Sequence, residues 1–385
     1  MKIRRSFLAL LGGLAASVAL TTALRAQTVT TDPVGAVTLT LKGGSDTHVS
    51  LPFHRPVALE TQVSSNASIS SNIIGVSASA NLTANQFIYS SPSQTNTYYL
   101  QFTSGNRAGM YYTVTANDAS TITINPNGDA GLSGNVANGD TFRVIPFWTL
   151  NTLFPSGQGL HTGQNFNLNT QSVIITIPGN VSGINLSAAA EYFYYAGSNF
   201  NGPGWRQQTN PSTPPTTIVP DVIFPPDTLF IVRHPLSSAD TQLVLVGNVP
   251  MSAQSVIINA LAANTPQDNA VSLPVPVSVT LAQSGLSNVL TQSTTFNPSD
   301  LILQFDPNTI AQNKSATAEY FYYTDPANHF NGPGWRLVGD PNGPGTIHDT
   351  DVLASPGQAF VIRLGSRANP GSLVWTFTPS YLPVP

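Results

Sequence analysis

A long segment of this chain occurs twice. Residues 191–195 read Glu-Tyr-Phe-Tyr-Tyr and return at 319–323, and residues 200–206 read Phe-Asn-Gly-Pro-Gly-Trp-Arg and return at 330–336. A displacement of about 130 residues is the size of a small domain and far exceeds a solenoid repeat. The sequence therefore predicts two tandem copies of one module.

The composition indicates what kind of module this is. Only 8% of the residues are charged, against about 25% in typical soluble domains. The 30 glycines and 31 prolines interrupt every prospective helix, while 41% of the residues are hydrophobic and alternate along the chain. This pattern predicts an all-β fold and disfavours disorder. Since the chain has no cysteine, disulfides, thiolate metal sites and cysteine nucleophiles are excluded.

The first 26 residues have the pattern of an export signal. Lys2, Arg4 and Arg5 form a basic start, residues 7–20 form a short apolar stretch, and Ala26 is a small residue suited to cleavage. The general secretory route is favoured over the twin-arginine route.

Removal of this signal would leave 10 basic and 18 acidic residues, because four of the 14 basic residues lie within it. Nucleic acid is a poor partner for such a chain. No second apolar stretch is long enough to cross a bilayer, so no membrane span is expected after cleavage.

Two weaker sequence repeats predict where the modules begin and end. Residues 46–52 and 145–150 are echoed at 268–274 and 275–281, adjacent in the second copy but about ninety residues apart in the first. An insertion with turn-separated short strands explains that gap. The predicted fold is a duplicated β-sandwich-like module with a small β-barrel inserted in the first copy. The predicted segments are a signal peptide (1–26), N-terminal strands of the first β module (27–80), an inserted small β-barrel (81–145), the remainder of the first module (146–250), a linker (251–267) and the second module (268–385).

The aromatic motifs allow two interpretations. In a strand, Tyr192 and Tyr194 face one way and Phe193 and Tyr195 the other. A core strand is the favoured interpretation, and the alternative is an exposed platform that stacks on a sugar. The candidate ligand-binding residues are Tyr192, Tyr194, Trp205 and Arg206, with their counterparts Tyr320, Tyr322, Trp335 and Arg336.

Two of the three glutamates, Glu191 and Glu319, occupy equivalent positions. A buried Glu–Arg bridge beside the aromatic strand is favoured over a ligand-binding cluster, because an arginine can satisfy a carboxylate with two hydrogen bonds. The candidate arginines are Arg206, Arg233, Arg336 and Arg363.

Catalytic motifs are scarce. The six histidines show no two-histidine metal spacing, and neither a nucleophile elbow nor a phosphate-binding loop occurs. No catalytic residue, metal site or cofactor is predicted.

An ordered series of motifs resembles a known family. The series is Thr-Asp-Pro-Val-Gly at 31–35, Gly-Ser-Asp-Thr at 44–47, Leu-Pro-Phe-His-Arg-Pro at 51–56 and Pro-Phe-Trp-Thr-Leu at 146–150, together with the tyrosine-rich blocks. It resembles an uncharacterised secreted all-β family that occurs as many paralogues in Verrucomicrobia-type bacteria. The resemblance implies export and a surface role, and it carries no known activity. The hairpin at 102–117 is also similar to small β-barrels of phage tail and fibre proteins, which favours display or adhesion.

The expected function is that of an exported, non-enzymatic structural or adhesion protein of the cell envelope or extracellular space. The expected partners are other copies of itself, other envelope proteins or a polysaccharide. One alternative is a carbohydrate-binding β protein that uses exposed aromatics. A second alternative is a polysaccharide hydrolase that acts through aspartates.

Overall fold

The structure is a computed structural model and is all-β, as predicted. The predicted signal peptide at 1–26 lies outside the described residues. No helix in the described part of the chain is long and apolar enough to cross a membrane. The described residues are 32–64, 69–77, 80–126, 129, 131–208 and 215–382.

The described residues form twenty-four β-strands. The first copy begins with β1 (Val34–Leu41) and β2 (Asp46–Val49). The insertion holds β3 (Leu59–Gln62), β4 (Ile73–Gly75), β5 (Tyr98–Phe102), β6 (Tyr111–Asn117), β7 (Thr121–Asn125) and β8 (Thr141–Pro146). The first copy resumes with β9 (Trp148–Thr149), β10 (Val173–Thr176), β11 (Ala190–Tyr195), β12 (Gly204–Gln207), β13 (Ile223–Phe224), β14 (Phe230–Arg233) and β15 (Thr241–Asn248). The second copy comprises β16 (Gln254–Ala260), β17 (Gln267–Ser272), β18 (Val279–Thr280), β19 (Leu301–Gln304), β20 (Ala318–Tyr323), β21 (Gly334–Leu337), β22 (Val352–Ala354), β23 (Ala359–Leu364) and β24 (Gly371–Phe377).

The helical segments are short. A single turn of α-helix, α1 (Leu150–Leu153), follows β9, and Thr149 and Thr152 cap its start reciprocally. Three 3-10 turns lie at Pro155–Gly157, Leu168–Thr170 and Leu286–Asn288.

The two copies share one topology. Each contains an antiparallel five-stranded sheet, in the order β12-β11-β10-β14-β2 in the first copy and β21-β20-β19-β23-β17 in the second. Each also has a long two-stranded sheet, β1–β15 or β16–β24, and a short one, β9–β13 or β18–β22. All nine strands of the first copy therefore have a counterpart, and the module is duplicated as predicted.

Alternating side chains create the core of each module. In β15 and β24, every second residue is buried, so one face of the long two-stranded sheet covers the inner face of the five-stranded sheet. Trp205 belongs to the core of the first copy, and Trp335 and Trp375 belong to the core of the second.

The insertion is a single six-stranded antiparallel sheet in the order β3-β8-β5-β6-β7-β4. Its two outer strands meet at a bridge between Val63 and Val76, and the Ser64 N–H donates to the Gly75 carbonyl at 3.0 Å. The sheet thereby curls into a partly closed barrel around its own apolar core, which includes Leu100, Tyr112 and Phe142.

The structure corrects two predicted domain boundaries. Strands β3 and β4 pair with β8 and β7, so the barrel begins near residue 59 rather than 81. Residues 251–267, predicted as a linker, contain β16, which pairs along its whole length with β24. That range is therefore part of the second module.

The barrel grows from the first copy but packs on the second. Gln101 donates to the Gln254 side chain at 2.9 Å, and the Ser255 N–H donates to the Gly109 carbonyl at 3.2 Å. Gly109 has a φ of +85°, and a Cβ there would lie 2.7 Å from the Ser255 hydroxyl. Glycine is thus required at position 109 both by its positive φ and by the close approach of Ser255.

We expect Gly109→Ala to destabilise the protein by about 2–4 kcal/mol, since backbone strain and overlap with Ser255 both contribute. Gly139→Ala is the matched control, because Gly139 has a φ of +90° but no atom within 4 Å of the added Cβ. This control should lose only about 1–2 kcal/mol. Urea unfolding measures both, and equal losses would contradict a tight contact between barrel and second copy.

Candidate functional site: the cleft between the two copies

The aromatic residues predicted as a platform lie in the two cores. Trp205 and Trp335 are each 1% exposed, and Tyr192 and Tyr320 are 8% and 6% exposed. The half-buried Tyr194 and Tyr322 pack edge-on against the two tryptophans, with ring centroids 5.7 and 5.6 Å apart. These side chains do not present a stacking face to solvent. The burial agrees with the favoured core interpretation and speaks against the alternative of an exposed platform.

Arg206 and Arg336, the remaining candidate ligand residues, are 0% and 1% exposed. Arg206 Nη2 donates to the Phe200 and Gly202 carbonyls at 2.9 and 2.7 Å. Arg336 makes the equivalent bonds to Phe330 and Gly332 at 2.8 and 2.6 Å. Each guanidinium donates to carbonyls of the tight turn that precedes it, so the arginine of the repeated motif stabilises the motif's own turn.

The predicted Glu–Arg bridge is wrong. Arg233 binds Asp46 with Nε and Nη2, both at 2.7 Å, and Arg363 binds Asp268 equivalently at 2.7 and 2.9 Å. Asp46 is 2% exposed and lies opposite Arg233 in the pairing of β2 with β14. An aspartate on the neighbouring strand therefore takes the place that was expected for the glutamate.

Each Asp–Arg pair receives a loop from the other copy. The Asn313 N–H donates to Asp46 at 2.7 Å, and the Asn313 side-chain oxygen accepts from Arg233 at 2.6 Å. In the reverse direction, the Asn185 N–H donates to Asp268 at 2.7 Å and its side chain accepts from Arg363 at 3.0 Å. Both asparagines have a φ of +53°. The two copies thus exchange identical contacts, as the subunits of a twofold dimer do.

The local twofold axis passes between Ser50 and Ser272. These two buried serines occupy equivalent positions, Ser50 directly after β2 and Ser272 at the end of β17, and their hydroxyls lie 2.8 Å apart. The Ser50 N–H donates to the Gly357 carbonyl at 2.9 Å, and the Ser272 N–H donates to the Asp227 carbonyl at 2.8 Å. A residue that meets its own counterpart defines the axis of an isologous contact.

A cleft of about 750 Å³ lies between the outer faces of the two five-stranded sheets. Glu191 lies in a cross-strand row with Ile175 and Ile231, and Glu319 lies in the corresponding row with Leu303 and Val361. All six of these residues line the cleft. Within the described part of the chain, neither glutamate side chain has a hydrogen bond or ion pair. The cleft therefore combines apolar walls with two half-buried, unpartnered carboxylates.

The two halves of the cleft differ. His48 stacks on Phe305 with ring centroids 4.2 Å apart, and burial is the main cause that lowers the pKa of His48 to about 4. The counterpart of this pair is Ala270 with Ile177. Lys314 also lines the cleft, where burial lowers its pKa, and its counterpart is Leu186.

A second polar cluster lies in the second copy. His348 contacts Asp351 through Nδ1 at 2.8 Å and Asp340 through Nε2 at 3.0 Å, and the Tyr320 hydroxyl donates to Asp351 at 3.0 Å. Burial acts to lower the pKa of His348, but the two carboxylates outweigh it and hold the pKa above the usual 6.5. Both ring nitrogens lie within hydrogen-bonding distance of a carboxylate, an arrangement that favours the protonated imidazole and ties a loop to the sheet.

A buried histidine in the first copy is held neutral instead. His234 is 0% exposed and lies between the Ser172 hydroxyl at 2.9 Å and the Thr241 hydroxyl at 2.7 Å. Burial, together with the nearby His161, lowers its pKa to about 4. Ser172 is 1% exposed, so this serine–histidine pair is closed to a substrate.

Comparison of the chain with models of protein families, with curated proteins and with solved structures finds no match. Among the described residues, no group of three or more histidine, aspartate or glutamate side chains is arranged to hold a metal ion. The sequence identified both glutamates, but nothing local in it placed them in a cleft between copies.

We expect Arg336→Met to lower the free energy of unfolding by about 3 kcal/mol or more, because buried carbonyls lose charged donors. Arg206→Met should have a similar effect. Lys42→Met, which removes the exposed ion pair with Asp240, should cost about 1 kcal/mol or less. Urea unfolding measures all three, and an Arg336→Met variant as stable as wild type would show that the turn holds without its guanidinium.

We also expect stability to fall as pH rises from about 6.5 towards 9. The folded-state pKa of His348 is raised, so its stabilisation is complete below the unfolded pKa of about 6.5 and is lost as pH passes the folded value. His48 and His234, with folded pKa values of about 4, are neutral in the folded state throughout this range. In the unfolded state their pKa is about 6.5, so they are also largely neutral there above about pH 7.5, and the loss above that pH reports His348. The free energy of unfolding of wild type and of His348→Gln, measured across this pH range, tests the assignment to His348. If the variant loses stability with rising pH as steeply as wild type does, the assignment is contradicted.

Proposed function

We propose that this chain is an exported, non-enzymatic component of the cell envelope or extracellular matrix, and that it assembles with further copies of itself through the sheet β1–β15. The observation that carries the proposal is an open, uncharged sheet in the first copy, whose counterpart in the second copy is partly covered by the barrel.

The outer face of β1–β15 is uncharged and exposed, and valines alternate on it with threonine and glutamine side chains. Val34, Val244 and Val246 are 70%, 57% and 50% exposed. The two strands contain no charged residue and no proline, and they form a sheet of only two strands. Charged side chains and prolines are the usual protection of a sheet edge against pairing with another chain. Their absence here favours association.

In the second copy, the counterpart sheet β16–β24 packs against the barrel on this face. Ser255 is 4% exposed, its hydroxyl donates to the Ala108 carbonyl at 3.0 Å, and Ile257 packs against the barrel core. The barrel therefore covers the β16 side of this face, while the β24 side stays exposed. In the first copy the β1 side is exposed as well, which leaves the whole face open to a further copy.

A second copy suits this face better than a charged partner does. An uncharged surface meets its own copy without electrostatic repulsion, and the gain comes from apolar burial and backbone pairing. The low charge of the whole chain, 8% of its residues, supports the same role in a dense assembly.

We expect the wild-type protein to form concentration-dependent oligomers and the double variant Val244→Lys, Val246→Lys to dissociate roughly tenfold more readily or further, because two ammonium groups would have to be desolvated in the contact. Sedimentation velocity over a wide concentration range measures this.

Val374→Lys is the matched control. Val374 is the counterpart of Val244 on β24 and is 49% exposed, so it tests for an unspecific effect of added charge. A wild type that stays monomeric at every concentration would refute assembly through this face, as would equal association in the double variant.

A further inference from the structure

Strand β1 pairs with β15 on one side only, and its other edge is open. On β15, Asn248 lies opposite Val34 and exchanges two backbone hydrogen bonds with His54, at 2.8 and 3.0 Å, on the side away from β1. Because backbone groups of an antiparallel ladder alternate in direction, the N–H and C=O groups of Ala36 and Thr38 point away from β15. Among the described residues, these groups have no hydrogen-bond partner.

In the second copy the barrel covers the equivalent edge, which belongs to β16. Ser255 occupies there the register position of Ala36. The Ser255 N–H points away from β24 and donates to the Gly109 carbonyl of the barrel at 3.2 Å. This edge of the module is therefore one that accepts backbone groups from another β element.

The first copy lacks this cover within the described part of the chain, and its core is less closed at this edge. Val37 and Leu39 point from β1 towards the core but are only half-buried. Their counterparts on β16, Val256 and Ile258, are 4% and 0% exposed. A further strand along β1 would bury Val37 and Leu39 and would also pair the free backbone groups.

The strand β1 is complementary to a second copy of itself. In an antiparallel pair centred on Val37, Gly35 lies opposite Leu39. Ala36 lies opposite Thr38, so each larger side chain meets a smaller one. This register also places the free N–H and C=O groups of Ala36 against those of Thr38, and every one of them finds a partner.

The charges around the strand favour the same register. β1 contains no charged residue and no proline, which are the usual protection of a sheet edge. The charged residues that flank it are Asp32 and Lys42. In the pair centred on Val37 they lie opposite each other, and their charges are opposite in sign. A second copy therefore matches this edge in backbone direction, side-chain size and charge.

We propose that β1 pairs antiparallel with β1 of a second copy about Val37, which forms a continuous sheet in the order β15-β1-β1-β15. This inference rests on the proposed function, since it names the strand edge through which two assembling copies meet. The pairing is isologous and closes with two copies. Larger assemblies then require the exposed valines on the outer face, Val244 and Val246, in addition.

Hydrogen exchange of the wild-type protein tests the pairing without any substitution. The amides of Ala36 and Thr38 should exchange rapidly in dilute protein, because they have no partner in the single chain. They should exchange at least about tenfold more slowly at concentrations where sedimentation velocity shows association. The amides of Val374 and Thr376 on β24, which also lack a hydrogen-bond partner among the described residues, should exchange equally fast under both conditions.

The variant Ala36→Pro removes one free N–H group and leaves the hydrogen bonds between β1 and β15 in place. We expect it to weaken association at least about tenfold, because each strand of the symmetric contact loses a hydrogen bond. Val374→Pro is the matched control, since its N–H also points to an open edge, and it should associate as wild type does. Urea unfolding identifies any loss of folding, and if Ala36→Pro does not fold, the exchange measurement on wild type decides.

The results distinguish the edge pairing from the proposed function. The edge pairing is overturned, and assembly through the valine face stands, if Val244→Lys, Val246→Lys weakens association while Ala36→Pro does not and the amides of Ala36 and Thr38 still exchange rapidly. Slow exchange at these two amides, with weakened association in Ala36→Pro, supports the pairing. A wild type that stays monomeric at every concentration overturns both.

Discussion

The Asp–Arg pair at the edge of each five-stranded sheet is the interaction on which the relation between the two copies depends. Asp46 is buried and its carboxylate accepts bonds from Arg233 of its own sheet and from the Asn313 N–H of the other copy. A buried carboxylate is tolerable only when its oxygens are satisfied. Each ion pair forms within its own copy, but one oxygen of its carboxylate also accepts an N–H from the other copy, so the hydrogen bonding of the buried aspartate is complete only when the two copies meet. The same holds in reverse at Asp268, so the two modules stabilise each other and enclose the cleft.

The repeated glycine-rich motif serves a different purpose. Its turn bends the chain sharply, with Gly202 and Gly332 at φ values of +81° and +91°, and it leaves carbonyls directed inward. Arg206 and Arg336 fill that space with donors. The tryptophan before each arginine faces the module core. A motif with these residue types can resemble a binding loop in sequence, although its arginine donates to carbonyls of the motif's own turn.

Much of the fold could be predicted from the sequence, because duplication and alternating burial leave direct traces in it. The strands around the aromatic blocks were predicted, and so were the barrel strands β5 to β8. The barrel strands β3 and β4 were missed, since each is short and pairs with a strand far along the chain. The site was harder to predict. Glu191 and Glu319 were recognised as a matched pair, but the aspartates that displace them from the arginines lie on β2 and β17, and only the sheet order reveals this proximity. Burial of Trp205 was the favoured of two interpretations, because alternation cannot distinguish a strand covered on both faces from one with an exposed face.

The isologous contact at Ser50 and Ser272 has a consequence for how this chain could diverge. Two separate modules would meet this way only above a threshold concentration, whereas covalent linkage makes the encounter intramolecular and independent of dilution. A homodimer must also carry every substitution twice, once on each side of its axis. In the tandem chain each half can change alone. Lys314, whose counterpart is Leu186, and His48, whose counterpart is Ala270, are changes on one side only. A symmetric dimer could not make such changes.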